Sequence, residues 1–585
     1  MRPSLFSAAV VPIVHLAASA QAQSSSSATA TSTYLPPPAA SGTVASAASA
    51  SPNPQWSQLL GNSLYFYDVQ RAGKLPDNFR VSWRNNSVLN DGKDVGLDLS
   101  GGFFDAGNFI KATFPLCWTI TQLSWAAMMF GGGYDAANQT SYLDETLRVG
   151  LDWLLEASSQ QDSLVVLIGN EGVYWGGDQD IPTDRPSYKI TRQNPGTDVF
   201  GSCASALTSA SMLYAGTALP LGPNSNGTAA SLRNTTYSRL LLNRGQSLFN
   251  LAQTATPQQV YQAAVPQVKW AYPSTDYADE LVLSATFLAM ATGNKSYIDY
   301  AQTTYTASHF PFSNGALNWD QHTPAAPVLL AQASLMDAGL DLNTTKYQSD
   351  AEYWLDLILN GQMSQTFSTS GGLFWFKGDS DSASLNPSLN AASLAVTYHG
   401  MASSTQKGQG YLDWALSQQD YALGKNPMNA VYSVGLHPNS AQNPQSALAS
   451  GGTDAANIDS SPPTERWVLY GGLVGGPDKQ DNYYDQRSDY EQTEVAIDSN
   501  PPLMTLIAYH IQNGDADPFY VSLTQPRVIL PYPSSGGGGG LSGGAKAGIA
   551  IAVILVVIII VGLLGWWQRE RLRTFWRRKR LGLKA

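Results

Sequence analysis

The chain has 585 residues, of which 43% are hydrophobic and only 13% charged, with a net charge of −11. That is enough apolar material for a sizeable core and too little charge for a disordered protein. An acidic body argues against nucleic acid as a partner, and two cysteines are too few for a disulfide scaffold.

At the N-terminus, residues 1–22 read as a signal peptide. Arg2 supplies the basic start, Ala8 to Ala18 the apolar stretch, and Ala20-Gln21-Ala22 the cleavage pattern. Residues 23–54 form a Ser/Thr/Ala/Pro-rich arm too polar to fold. Residues 55–530 read as one large domain in which helical periodicity recurs. Leu143, Leu147, Leu151, Leu154 and Leu155 mark one amphipathic helix. Further helical stretches are predicted at 114–130, 201–216, 237–253, 277–292, 325–337, 347–361, 388–402, 410–423 and 490–513. Long Gly-, Pro-, Asp- and Trp-bearing loops join them, and such loops on a rigid scaffold carry function.

Six N-x-S/T sequons, at Asn85, Asn138, Asn226, Asn234, Asn294 and Asn343, fall in this body. Residues 531–546 are a Gly/Ser-rich linker. Residues 547–567 run without a charge for the length of a membrane span and end on Trp566 and Trp567. The tail 568–585 carries eight Lys or Arg against one acid, Glu570. Basic flanks stay cytoplasmic, so the expectation is a single-pass type I protein with its body outside the cell membrane. Cys117 and Cys203 either form one bridge in that oxidising compartment or remain two buried thiols. Neither their number nor their spacing supports a zinc site.

The usual metal, Ser-nucleophile and phosphate-loop motifs are missing. With only six histidines, one of them in the signal peptide, carboxylates become the candidates for chemistry. One cluster is Gly101-Gly102-Phe103-Phe104-Asp105-Ala106-Gly107-Asn108, followed by Lys111. Asp105 there either faces a ligand from a tight turn or caps a helix beginning near 109. The second cluster runs from Asp481 to Asn500 and includes Asp485, Arg487, Asp489, Glu491, Glu494 and Asp498. Arg487 could orient a carboxylate. Glu494 precedes Val495-Ala496-Ile497, an apolar setting that would keep a carboxyl protonated; the other reading is a solvated acidic turn.

Together these segments resemble glycoside hydrolase family 9 over most of residues 60–515. The Asp105 turn is similar to that family's GGWYDAGD loop. Arg185-Pro186-Ser187-Tyr188 with Pro195-Gly196-Thr197-Asp198, Ala278-Asp279-Glu280-Leu281 and Leu423-Gly424-Lys425-Asn426-Pro427 resemble three more of its motifs. Asp485, Arg487, Tyr490, Glu494 and Ala496 fall at the spacing of its DxRxxYxxxExA signature.

The resemblance implies an all-α fold, an (α/α)6 barrel of about twelve helices, in addition to the membrane helix. It also implies an inverting endo-β-1,4-glucanase acting on cellulose or a related β-1,4-glucan, with no cofactor and no metal in the catalytic step. Carried over by position, Glu494 is the general acid, Asp105 holds the attacking water and Asp485 supports the site. Arg487, Tyr490 and Gln445 fall at substrate-binding positions. The chain departs from the family at the usual general base, which is Asn108, and where Gln445 replaces a substrate-binding His. Pro501 also replaces a small residue. Three expectations follow: a glucanase whose base is Asp105, a glucan-binding protein with little turnover, or a hydrolase of a related glycan that tolerates Gln445.

Overall fold

The computed structural model describes residues 56–170, 174–313, 315–336, 339–513, 523 and 525–533. The signal peptide, the arm, nearly all of the linker, the apolar segment 547–567 and the basic tail lie outside the described residues. The chain divides into two compact units, Met1–Ile529 and Leu530–Ala585, and the first holds everything below. Among the described residues no helix is long and apolar enough to cross a membrane.

Among the described residues, twelve long helices alternate between two rings. The outer helices are α1 (Trp56–Gln70), α3 (Thr140–Ala157), α5 (Thr235–Thr254), α7 (Lys295–Ser308), α9 (Thr344–Leu359) and α11 (Thr405–Ala422). The inner helices are α2 (Thr113–Met129), α4 (Thr197–Ala215), α6 (Ala278–Thr292), α8 (Ala325–Ser334), α10 (Leu385–Tyr398) and α12 (Asn500–Asn513). Each inner helix packs on the next, α2 on α4, α4 on α6, and so on to α12, which returns to α2. This closed ring is the (α/α)6-type arrangement that the resemblance implied.

The sequences explain the two layers. An inner helix is touched on every side, so it is apolar or small all round, and every residue of α2 is buried. Outer α3 instead buries one stripe, Leu143, Leu147, Leu151 and Leu154 among it, and leaves Asp144, Glu145 and Arg148 outward. Small residues bring the inner helices close. A Cβ on Gly201 of α4 would sit 2.9 Å from Glu280 Cβ of α6. Cys117 of α2 and Cys203 of α4 form a disulfide across the inner ring.

Two expectations are corrected. The stretch 490–513 is not one helix: Tyr490–Thr493 is a single turn, Glu494 is extended, and α12 starts only at Asn500. Pro501 and Pro502 explain the break, since proline fits the first helical turn and clashes further in. The helix expected near 109 begins at Thr113, because Lys111–Ala112 forms a strand against Ile168 and Leu167. That strand belongs to a three-stranded antiparallel sheet, with Ser163–Ile168 at its centre and Ser187–Thr191 at its far edge. The fold is therefore helical with small sheets on its loops.

The direction of the helices decides where function can sit. Connections from an inner to an outer helix are mostly short, as at Gly293-Asn294. Connections from an outer to an inner helix are long: 71–112, 158–196, 255–277, 309–324, 360–384 and 423–499. All the long connections gather at the N-terminal ends of the inner helices, where the helix dipoles place partial positive charge.

The bridge closes a loop of 86 residues. A Cys117→Ala/Cys203→Ala variant is expected to lose ~2–4 kcal/mol of unfolding free energy, read as a lower denaturant midpoint. An unchanged midpoint would contradict a stabilising bridge.

Candidate active site

The turn at Asp105 is fixed from several sides. Gln70 Nε2 donates to the carbonyls of Phe104 (3.2 Å) and Ala106 (2.8 Å). Asp105 N donates to Ile110 O at 2.9 Å, closing the turn, and Ile497 N donates to Asp105 O at 2.9 Å. Lys111, 2% exposed, donates to the carbonyls of Leu99, Ser100 and Gly101 and pairs with Asp91 at 2.9 Å. Burial lowers its pKa to about 8 against the opposing pull of Asp91. Arg185 grips the other side of Asp91 in a bidentate pair of 2.8 and 3.1 Å.

Asp105 does not cap a helix. It is 1% exposed, its Oδ2 accepts the hydroxyl of Tyr272, and its Oδ1 has no hydrogen-bond partner among the described residues. Burial raises its pKa well above the ordinary carboxylate value; Tyr272 opposes the rise, and the nearby charges of Asp498 and Glu494 add to it. Tyr272 comes from the 255–277 connection and stands edge-on against Trp319, ring centroids 4.9 Å apart.

Glu494 leaves the last turn of Tyr490–Thr493 in extended backbone. Burial, with Asp498 and Glu491 nearby, raises its carboxyl to about 7, against a bond from the Gly107 amide that lowers it. Asp498 is the third acid, 3% exposed and raised by burial to about 6. It accepts from Asn386 Nδ2 of α10 at 3.0 Å. All three acids are thus shifted toward holding a proton at higher pH than a free carboxyl, as general acid chemistry requires of one of them.

Gln445 stands beside them. Its N–H donates to Thr493 O at 2.8 Å, and it bridges Glu494 in parallel. Gly107 is required at this crossing: a Cβ there would lie 2.2 Å from Gln445 O. Ala447 N donates to Gly107 O at 2.8 Å. Asn108 spends its Oδ1 on Ile110 N at 3.1 Å and lines a cavity with Phe109, Asn170, Tyr174, Asp184 and Arg185. Beyond it Trp83 and Trp467 stack with centroids 5.6 Å apart and planes 1° apart. Such flat apolar faces suit pyranose rings.

Arg487 and Asp485 stand behind the site. Arg487 is 1% exposed; it donates to Ile458 O at 2.6 Å and to Pro462 O, and lies 3.7 Å from Glu465. Its Nε and Nη2 are committed to the 458–465 loop and its Nη1 faces Glu465, so it fixes that loop. Asp485 is also committed: its carboxylate accepts from Gln442 N, Asn443 N, Tyr483 Oη and Arg527. It holds the loop that carries Gln445. Tyr490 is 52% exposed. Asp105, Glu494, Asn108 and Gln445 come together, whereas Tyr272, Asn386 and Arg527 were not foreseen. None of these three lies in a motif, and Asp498 was read only as part of an acidic cluster.

The remaining motifs act as clamps on the long connections. Asp198 accepts from Tyr261 N at 2.9 Å. Asp279 accepts from His322 N at 2.6 Å. Asn426 Nδ2 donates to Tyr421 O and Ala430 O, both at 2.7 Å.

Comparison with known proteins agrees with this geometry. The family model described as glycosyl hydrolase family 9 matches residues 56–507, and the chain belongs to that family. Endoglucanase A of Bacillus pumilus is 31% identical over 463 residues, covering 78% of this chain and 66% of its own length; the chain thus spans about two thirds of that relative. Endoglucanase 15 of Arabidopsis thaliana is 30% identical over 482 residues, covering 78% of this chain and 93% of its own. Among solved structures, the endoglucanase of the termite Nasutitermes takasagoensis superimposes with a TM-score of 0.68 at 31% identity, over 79% of this chain and 99% of that one. The cellulase Cel9M of C. cellulolyticum in complex with cellobiose gives 0.67 at 26% identity, over 79% and 99%.

Gly107→Ala is expected to push the Gln445 strand off the Asp105 turn. Misplacement by ~1 Å costs about 10²-fold in rate. Release of reducing sugar from carboxymethyl cellulose checks this; a rate within twofold of wild type would show that the crossing tolerates a side chain.

Proposed function

We propose that the protein is an inverting endo-β-1,4-glucanase acting on cellulose or a related β-glucan at the outer cell surface, tethered by the apolar segment 547–567. The observation that carries the catalytic reading is a carboxyl raised to about 7, Glu494, beside a second carboxylate, Asp105, with a free Oδ1. Glu494 gives its proton to the glycosidic oxygen as the C1–O bond breaks. Water attacks C1 from the opposite face and passes a proton to Asp105 Oδ1, so both carboxyls have exchanged protonation states. Tyr272 holds Asp105 in place. Related cellulases and endoglucanases form complexes with cellobiose, cellotriose and cellotetraose, which supports a glucan ligand.

Asn108 favours a second reading, a surface protein that binds glucan with little turnover. Its amide cannot take a proton from water, and loss of a general base removes ~10²–10⁴-fold in rate. With Asp105 as base, the soluble body exceeds an Asp105→Ala/Glu494→Gln blank on carboxymethyl cellulose, and Asn108→Asp changes its rate by less than about tenfold. A larger rise would favour the binding reading, in which the wild type lacks its base.

The sequons support exposure to a secretory route. Asn138, Asn226, Asn234, Asn294 and Asn343 are exposed and lie on inner-to-outer connections, at the end of the barrel away from the carboxylates. Asn234, Asn294 and Asn343 cap outer helices through Oδ1, leaving the amide nitrogen for a glycan. Asn85 lies on a catalytic-side connection, its Nδ2 3.3 Å from Asp178 Oδ1. Glycopeptide mapping of the secreted protein should find glycans on that distal group and none at Asn85. Occupancy at Asn85 with the distal sites bare would contradict this arrangement.

A further inference from the structure

A short strap follows the last inner helix. The family match ends at residue 507, and residues 525–528 lie beyond it. They are nonetheless sewn to the loops that follow α11. Asn439 Nδ2 donates to Gln525 O at 2.7 Å, and Val528 N donates to Met428 O at 2.8 Å. Between them Arg527 sends Nη1 to Asp485 Oδ2 at 2.5 Å, in a pair whose two side chains are each 6% exposed.

Asp485 needs that partner. It sits at φ 53°, in the left-handed region that costs a non-glycine residue energy. Its carboxylate takes the amides of Gln442 and Asn443 at 3.0 Å, and Asn443 Nδ2 returns a bond to Asp485 O at 3.1 Å. Two residues further on, Gln445 lies along Glu494 and over Gly107. A buried carboxylate stripped of its cation is strongly destabilised where it stands, so without the strap the 442–445 loop would be the part that moves.

We infer that Arg527 is a positioning residue for catalysis: acting through Asp485, it holds the 442–445 loop, and with it the contact between Gly107 and the acid Glu494. This goes beyond the family match while resting on the reading of Glu494 as acid. The Gly107 amide bonds the ionised form of Glu494 and lowers its pKa. If the loop loosens and that bond is lost, the Glu494 pKa rises. An acid must be protonated to work, so the basic limb of the pH–rate profile should move to higher pH.

The test is made on the full chain with Arg527→Gln and Arg527→Lys. The expected result for Arg527→Gln is a kcat on cellotetraose lowered ~10- to 100-fold, with KM changed less than about threefold and the basic limb shifted upward. Arg527→Lys, which keeps the cation, should recover most of both. Asn439→Ala loosens the strap at Gln525 without exposing a buried charge, and should shift the limb the same way should Arg527→Gln fail to fold. The inference is overturned if folded variants melt lower but keep the wild-type kcat and basic limb, since the strap would then only stabilise. A Glu494→Gln variant that keeps full activity on cellotetraose would instead overturn the assignment of the acid itself.

Discussion

The structure depends on the closure of its inner ring. Helix α12 must return to α2, and the connections leading into these two helices then meet across almost the whole sequence. Ile497 N bonds Asp105 O, and Gln445 crosses Gly107 at that seam. Three carboxylates meet there, Asp105 and Asp498 buried and Glu494 half-buried, at the N-terminal ends of inner helices. Desolvation raises all three; Asp498 and Glu494 raise Asp105 further, and Asp498 raises Glu494. A protein keeps such a cluster only with strong local support. Here the support is Tyr272 on Asp105, Asn386 on Asp498 and the Gly107 amide on Glu494.

Most motif residues serve this seam indirectly. Lys111, Asp91 and Arg185 lock the first connection to the second. Asp198, in the first turn of α4, holds the third connection, and Asp279, in the first turn of α6, holds the fourth. Asp481 accepts from Thr369, Ser370 and Gly371 N, tying the fifth to the last. Long loops rich in Gly and Pro would otherwise be free to move. Buried charges and amides help to fix them, beside an apolar cluster that joins Phe104, Phe109 and Leu448 across connections.

Ten of the twelve helices were legible because inner helices are apolar all round and outer ones carry a single stripe; α1 and α7 were not marked, and the count of twelve came from the family resemblance. Their ends were less legible. Pro501 and Pro502 mark the true start of α12, but the apolar pattern from 490 onward masked the break. Asp105, Glu494, Asn108 and Gln445 could be placed because motif spacing survives in the sequence. Arg487 and Asp485 stand in the same signature, yet their side chains face inward to loops, and spacing alone says nothing about direction. Tyr272, Asn386 and Arg527 could not be read because each reaches the site, or the loop behind it, from a connection remote in sequence. Asn108 and Gln445, the two departures expected from the resemblance, both lie at the seam, where Gln445 crosses Gly107.

In the proposed mechanism, desolvation of Glu494 at the seam makes it the proton donor. The direct measurement is the pH dependence of kcat/KM on cellotetraose for the wild type and for Glu494→Gln. A donor raised to about 7 is protonated below that pH, so the wild type should lose activity as pH rises through the neutral range. The residual rate of the variant should lack that limb. A basic limb that survives unchanged in Glu494→Gln would contradict the claim and assign the proton to another group.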